Sequence, residues 1–248
     1  MQIFITTKQE YFQTQYKLGQ IMKKLLFILL LFRACSPALA QHTVQIKHTY
    51  YTLEYDTVLK SPLVSWYIQT TAHAISTNKI DRKTVAAFHL DPLIPSRYQV
   101  ASDNEYKAFN KKFDRFHGRD KGHLSPFTAF NFDIEAAKES MYYTNTAPQY
   151  PFFNEHSWEP LEMYVLKTLA PTHDSIFVYT GCLYSDSTMG NVPQPDYYWK
   201  VIIYSGNTES WIARNEFTTD SDFTRYSIGI NDLKNTILFY YPLLKLPF

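Results

Sequence analysis

Residues 118–126 read Gly118-Arg119-Asp120-Lys121-Gly122-His123-Leu124-Ser125-Pro126. A histidine follows a glycine here, inside a cluster of charge. Histidine titrates near neutrality and can take a proton from water. The chain has eight histidines, and one standing alone is more often structural or solvated. His123 is singled out by its company: Asp120 three positions before it, Gly122 allowing close approach, and the cations Arg119 and Lys121.

Working outward, two further runs follow within some forty residues. They are Tyr143-Thr144-Asn145-Thr146-Ala147-Pro148-Gln149 and Asn154-Glu155-His156-Ser157-Trp158-Glu159-Pro160-Leu161-Glu162. From Ser157 the pattern predicts a helix to about Leu169, because Trp158, Leu161, Val165 and Leu169 recur at three- and four-residue steps. Pro160 is tolerable if it lies in the first turn. Upstream, residues 44–75 are rich in β-branched and aromatic residues and predict strands, notably His48–Tyr55 and Leu63–Ile68. Residues 76–102 are loop-like, with Asp91-Pro92 and Ile94-Pro95 as breakers. Glu105–Phe113 predicts a short helix or turn, and Ile134–Met141 a helix. Downstream, Ile176–Gly181, Tyr198–Tyr204 and Ser210–Ala213 predict strands. Residues 227–240 predict a turn, a short helix over Ile230–Lys234 and a final apolar segment. Strands and helices mix without regular alternation, which points to an α+β fold.

The length, 248 residues, suits one domain of 41–248 behind an N-terminal segment of 1–40. Met22-Lys23-Lys24, the apolar run Leu25–Phe32 and Ala38-Leu39-Ala40 form a secretory signal pattern, with cleavage expected after Ala40. Met22 is then the expected initiator, and the product is secreted or periplasmic. The alternative is a lipid anchor on Cys35, although Arg33 sits badly before such a cysteine; a membrane is a partner only in that case. Cys182 would remain alone, which excludes a disulfide framework and reads as a small buried hydrophobe. Lys8, Lys17, Lys23, Lys24 and Arg33 against Glu10 give the first forty residues +4, and the whole chain carries +1, so the remainder carries about −3. Bulk charge therefore excludes a basic nucleic-acid binder, and any attraction for phosphate is local. Seven glycines in the whole chain disfavour a glycine-rich phosphate loop. No zinc helix, nucleophile elbow or Walker loop is present.

Asn154 supplies an amide oxygen, a hard neutral ligand suited to Mg²⁺. Asparagine is also among the best helix N-caps, and the two roles are compatible. Glu162 lies two helical turns on, where it could order a metal's water shell or be a solvated helix charge. A base, cations, two amides and a carboxylate are the parts needed to hydrolyse a phosphodiester with one metal ion.

The three runs resemble the DNA/RNA non-specific endonucleases of the ββα-metal (His-Me finger) class, the group of the Serratia nuclease and endonuclease G. That family carries Asp-Arg-Gly-His, an Asn-x-x-Pro-Gln run, and an Asn followed by Trp and Leu-Glu. This chain has Asp120-Lys121-Gly122-His123, Asn145-Thr146-Ala147-Pro148-Gln149, and Asn154 with Trp158 and Leu161-Glu162. Val178-Tyr179-Thr180-Gly181, Pro193 with Tyr198-Trp199-Lys200-Val201, and Ala213-Arg214-Asn215 continue the similarity. The resemblance covers about residues 60–245. It implies a mainly antiparallel sheet flanked by helices. It implies His123 as general base, Asn154 as the direct Mg²⁺ ligand (Mn²⁺ is an alternative), and Asn145 and Glu162 as organisers of the metal-water and histidine network. Arg82 is the candidate for an upstream phosphate-binding arginine, placed by loose spacing.

One departure stands out: Lys121 occupies the position of the family's arginine. Lysine keeps the charge but loses the planar fork that grips two phosphate oxygens, and Arg119 is the candidate to compensate. The resemblance further implies DNA and RNA as substrates held through backbone phosphates, with 5′-phosphate products and little sequence specificity. No stable protein partner is inferred. Two rival readings are a weakened or inactive member that only binds nucleic acid, and a phosphodiesterase for another substrate.

Overall fold

The chain alternates hairpins and short helices around one long sheet. In the computed structural model, which describes residues 42–100 and 103–248, the elements run β1 (Thr43–Lys47), β2 (Tyr51–Asp56), β3 (Ser61–Gln69), α1 (Thr71–Ile75), α2 (Asn104–Asn110) and β4 (Asp120–His123). Then come α3 (Phe127–Phe130), α4 (Ile134–Glu139), β5 (Thr146–Gln149) and α5, a continuous helix through Phe153–Trp158, Glu159–Met163 and Tyr164–Leu169. β6 (Ile176–Met189), β7 (Val192–Tyr204), β8 (Asn207–Arg214) and α6 (Ile230–Tyr240) complete it. The expected signal segment, the Met22 start, Cys35 and the cleavage after Ala40 lie outside the described residues.

Six strands form one antiparallel sheet in the order β1-β2-β3-β6-β7-β8. Helices flank it: α2 and α6 pack on β6, and α6 also on β8. The α+β class expected from the sequence is the observed one. β2 shows why tyrosine-rich segments become strands here: Tyr51, Leu53 and Tyr55 are buried while Thr52 and Glu54 are half-exposed, the period of two that a strand needs. Gly181 in β6 lets the Trp199 ring lie across the strand, since a Cβ there would meet that ring at 2.2 Å. Cys182 is free and fully buried.

Three local expectations change. Thr71–Ile75 is helical rather than strand, capped by Thr70, whose hydroxyl accepts from His73 N at 3.2 Å. α6 runs on to Tyr240, because Leu233 and Ile237 are both fully buried one turn apart and hold the weak helix formers Asn235 and Thr236 in register. The helix bearing Trp158 begins before Ser157, so Pro160 lies inside it and not in its first turn. There the ladder widens: Glu159 N donates to Asn154 O, five residues back, so the missing N–H of Pro160 falls at a break in the i→i−4 pattern. The structure adds the β4–β5 pair, since the composition of Asp-Lys-Gly-His does not by itself signal a strand.

β4 pairs antiparallel with β5, Asp120 opposite Gln149 and His123 opposite Thr146, and α5 follows at once. This strand–strand–helix finger leans on the main sheet through specific bonds. Asn215 Nδ2 donates to Pro148 O at 3.0 Å and Pro195 O at 2.9 Å, while its Oδ1 accepts from Tyr150 N at 3.0 Å. Tyr198 Oη donates to Pro148 O at 3.3 Å. Ser65 in β3 and Ser125, just past His123, share a hydroxyl bond of 2.8 Å.

Candidate active site

His123 ends β4, half-buried, with its ring 5.1 Å from that of Phe88. Its Nε2 is sealed from solvent and has no hydrogen-bond partner among the described residues. Burial, then the nearby charges of Arg82 and Lys121, hold its pKa down to about 3. The ring is thus neutral at physiological pH, the state a general base requires. Gly122 serves the partner strand: a Cβ there would stand 2.0 Å from Gln149 Oε1. Only glycine lets the buried Gln149 side chain cross under β4.

Asn145 is fully buried and braces the turn beyond His123. Its Oδ1 accepts from Ser125 N at 2.9 Å, and its Nδ2 donates to Ser125 O at 2.8 Å and Ser140 O at 2.9 Å. Its main-chain oxygen also accepts from Leu124 N at 2.9 Å. Every bond that this side chain makes is to backbone, and it does not line the cleft below.

A cleft of about 680 Å³ opens over β4 and the start of α5, with Arg82, Asp120, Lys121, His123 and Asn154 on its walls. The structure therefore brings together five residues that lie between positions 82 and 154 in the sequence. Asn154 is not a helix cap: its N–H already donates to Tyr150 O at 2.9 Å. Its Nδ2 donates to Asp120 Oδ2 at 3.1 Å, which fixes the amide and leaves its oxygen as the remaining acceptor. Burial raises the Asp120 pKa, and the Asn154 bond opposes that rise. Asp120 is the orienting residue that the motif contained without disclosing its role. Asn154 and Asp120 offer hard oxygen donors, so the donor chemistry fits a magnesium-type ion that keeps most of its waters. Among the described residues no three His, Cys, Asp or Glu side chains form a metal cage.

The cations divide by what they already hold. Arg119 is buried: it donates through Nε to Gln194 and through Nη1 to His117 O and Gly118 O, both at 2.7 Å, and it stacks 3.5 Å from the Tyr150 ring centre. Three of its five donors are committed to the fold, so the proposed compensation for Lys121 meets a guanidinium that is already occupied. Lys121 itself pairs with Asp103 at 3.1 Å, and Asp103 also accepts from Tyr143 Oη at 2.8 Å. Arg82 differs. It lies against Phe88 and Phe127 at 5.5 and 5.6 Å and pairs with no carboxylate among the described residues. Lys107 and Lys111, exposed on one side of α2, also line the cleft. Sequence reasoning missed both, although a Lys pair at i,i+4 on an expected helix was the available signal.

Glu162 does not line the cleft. It faces the fully buried Lys200 of β7 at 3.7 Å, and Lys200 lies 5.1 Å from the Trp158 ring. Burial pushes Glu162 up and Lys200 down, each opposed by the other's charge. Lys200, noted from the sequence only as part of a strand, is thus the charge that holds Glu162.

Known proteins resemble this chain in sequence and in fold. The family model described as DNA/RNA non-specific endonuclease matches residues 34–237. Mitochondrial endonuclease G of Bos taurus is 27% identical over 130 residues, 47% of this chain and 40% of that protein. The Homo sapiens enzyme is 28% identical over 112 residues, 40% of this chain and 37% of that protein. The chain thus spans about two fifths of the length of the curated relatives it matches. In the crystal structure of the EndoG/EndoGI complex, which concerns the mechanism of EndoG inhibition, one chain superposes with a TM-score of 0.65 at 22% identity, covering 79% of this chain and 86% of that one. The α+β frame, the strand–strand–helix finger and a family match across most of the sequence converge: this chain belongs to the DNA/RNA non-specific endonuclease family, with the ββα-metal fold.

Proposed function

We propose that this chain is an endonuclease that hydrolyses the phosphodiester backbones of DNA and RNA, with Mg²⁺ (or Mn²⁺) as cofactor. The observation that carries this reading is the pairing, in one cation-lined cleft, of a neutral histidine whose Nε2 has no protein partner with an oriented amide oxygen. Arg82, Lys107 and Lys111 attract and hold the backbone phosphates. Asn154, oriented by Asp120, would hold the metal. When bound there, Mg²⁺ supplies Lewis-acid polarisation of the phosphate and offsets charge in the five-coordinate transition state. The neutral His123 ring accepts a proton from the water that attacks in line. Asn145 keeps the β4 turn in place through the backbone of Ser125. Glu162, on α5, is held by Lys200 of β7 and keeps that helix in place beneath Asn154. Contacts to phosphate carry little base information, so cleavage is expected with little preference for sequence or sugar.

The chain would act after export, secreted or periplasmic, with the signal removed after Ala40. Mass spectrometry of the N-terminus of exported protein tests this, and a lipidated Cys35 would replace it with a membrane-anchored form.

The test of activity is incubation of purified chain with plasmid and with RNA, in Mg²⁺ or in EDTA. Mg²⁺-dependent cleavage of both is expected, and its absence in a folded protein would reject the reading. The Lys121–Asp103 pair favours one qualified version, a family member with lowered turnover, because a lysine already bound to a carboxylate is a weaker phosphate clamp than a free arginine fork. Asp103→Asn should then raise turnover rather than lower it.

A further inference from the structure

Beside the cleft lies an exposed aromatic group that the chemistry above does not use. Phe116 and Phe217 are each nearly half exposed, at 45% and 46%. Phe152 lies between them, with ring centres 4.9 Å from Phe116 and 5.1 Å from Phe217. His117 stacks near Phe217 at 6.2 Å and 23°, and His156 lies against Phe152 at 4.9 Å. Most of the other large aromatics cited above are buried in the core, so five rings gathered at the surface need another account.

From this position we infer that the Phe116–Phe152–Phe217 group is a stacking platform for the bases of a single nucleic-acid strand whose backbone lies in the cleft. The inference rests on the nuclease reading and adds to it a binding preference for strands with accessible bases.

Two observations favour bases over another occupant. Four of the five rings come from two segments that also line the cleft: Phe116 and His117 lie just before Asp120, and Phe152 and His156 lie two residues either side of Asn154, while Phe217 joins them from beyond β8. The two segments are tied together by the ion pair between Arg115 and Glu155, and both of those charges bear on the Asp120 carboxyl. A cationic channel for phosphates beside exposed ring faces is how proteins bind single strands without reading sequence. In a duplex the base faces are stacked on one another and cannot reach such a platform.

The test separates bases from backbone. Anisotropy in EDTA would compare a single-stranded oligonucleotide of ~12 residues, a length within the usual site sizes, with an abasic backbone of equal length. The unaltered chain should prefer the base-bearing strand by about tenfold, the scale of one or two stacked bases. Phe116→Leu/Phe217→Leu keeps apolar volume at exposed sites but removes the ring faces. It should bring that preference to within about twofold, with affinity for the abasic strand and the thermal unfolding midpoint unchanged.

Equal affinity of the unaltered chain for the two strands would overturn the platform. So would a preference that survives in the leucine variant. A dimer in sedimentation that dissociates in the leucine variant, with no base preference, would assign the rings to a second copy and also overturn it. Plasmid cleavage in Mg²⁺, measured in parallel, keeps the two readings apart. Base-dependent binding without cleavage leaves the platform standing and removes the nuclease. Cleavage without base-dependent binding does the reverse.

Discussion

At His123, burial and basicity pull against each other. Burial and the neighbouring cations keep the ring neutral, yet the same forces make it a weak base, which the negative charge of a bound phosphodiester would offset. His123→Ala should lower cleavage by roughly 10²–10⁴-fold, the usual worth of a general base, with unfolding by urea showing an intact fold. The depressed pKa also makes a stability prediction. Between about pH 6.5, the unfolded value, and about 3, the folded value, the unfolded chain binds a proton that the folded chain does not. Stability therefore falls as pH is lowered through that window, by at most about 1.4 kcal/mol per pH unit from this one group. Urea titrations at pH 4.5, 5.5 and 7 (conditions within roughly the titration range) should show a shallower fall for His123→Asn. Equal slopes would mean that His123 is not held neutral by the fold.

Among elements, the finger depends on two residues that make no contact with substrate in the proposed mechanism. Gly122→Ala would drive a Cβ to within 2.0 Å of Gln149 Oε1, and overpacking of this kind costs about 1–3 kcal/mol. A lower melting midpoint and reduced cleavage together are expected; a change in cleavage alone would mean that Gly122 acts on the substrate side. Asn215→Ala removes three bonds that dock β5 and its exit on β7 and takes away the acceptor of Tyr150 N, at about 1–3 kcal/mol. Hydrogen exchange should quicken at β4 and β5 before it does at β2 and β3. The widened turn of α5 belongs to this scale too, since it lets the helix begin early enough to carry both Asn154 and Pro160.

For the whole molecule, net charge and local charge have opposite signs. The chain beyond residue 40 carries about −3, while the cleft presents Arg82, Lys107 and Lys111 without carboxylate partners among the described residues. About three phosphates should be neutralised, so log affinity for a single strand should fall against log salt with a slope of about −2. Charge reversal at Lys107 and Lys111 should flatten that slope, whereas Arg119→Lys should leave it unchanged and reduce stability, because Arg119 is held by the fold. A titration of oligonucleotide affinity against salt in EDTA checks both.

What could be read from the sequence was set by local periodicity and by motif order. Tyr51–Tyr55, Ile176–Gly181 and the apolar stripe of α5 declare their burial through spacing, and the three runs from Asp120 to Glu162 in order point to the family that the comparisons then establish. The extent of α6 and α5 was less legible, because burial of Leu233 and Ile237, and a widened turn, override propensity. What only the tertiary structure decided was the state of each charge. Arg119, Lys121 and Arg82 look alike in sequence and all line the cleft, yet one is bound by backbone, one by Asp103, and one pairs with no carboxylate among the described residues. Partner and solvent access are properties of the packed chain, since residues 82, 103, 107 and 123 meet only when the loop, α2 and β4 fold against one another. The sequence therefore determined which chemistry the chain carries; the fold decided which of its cations remain available to perform it.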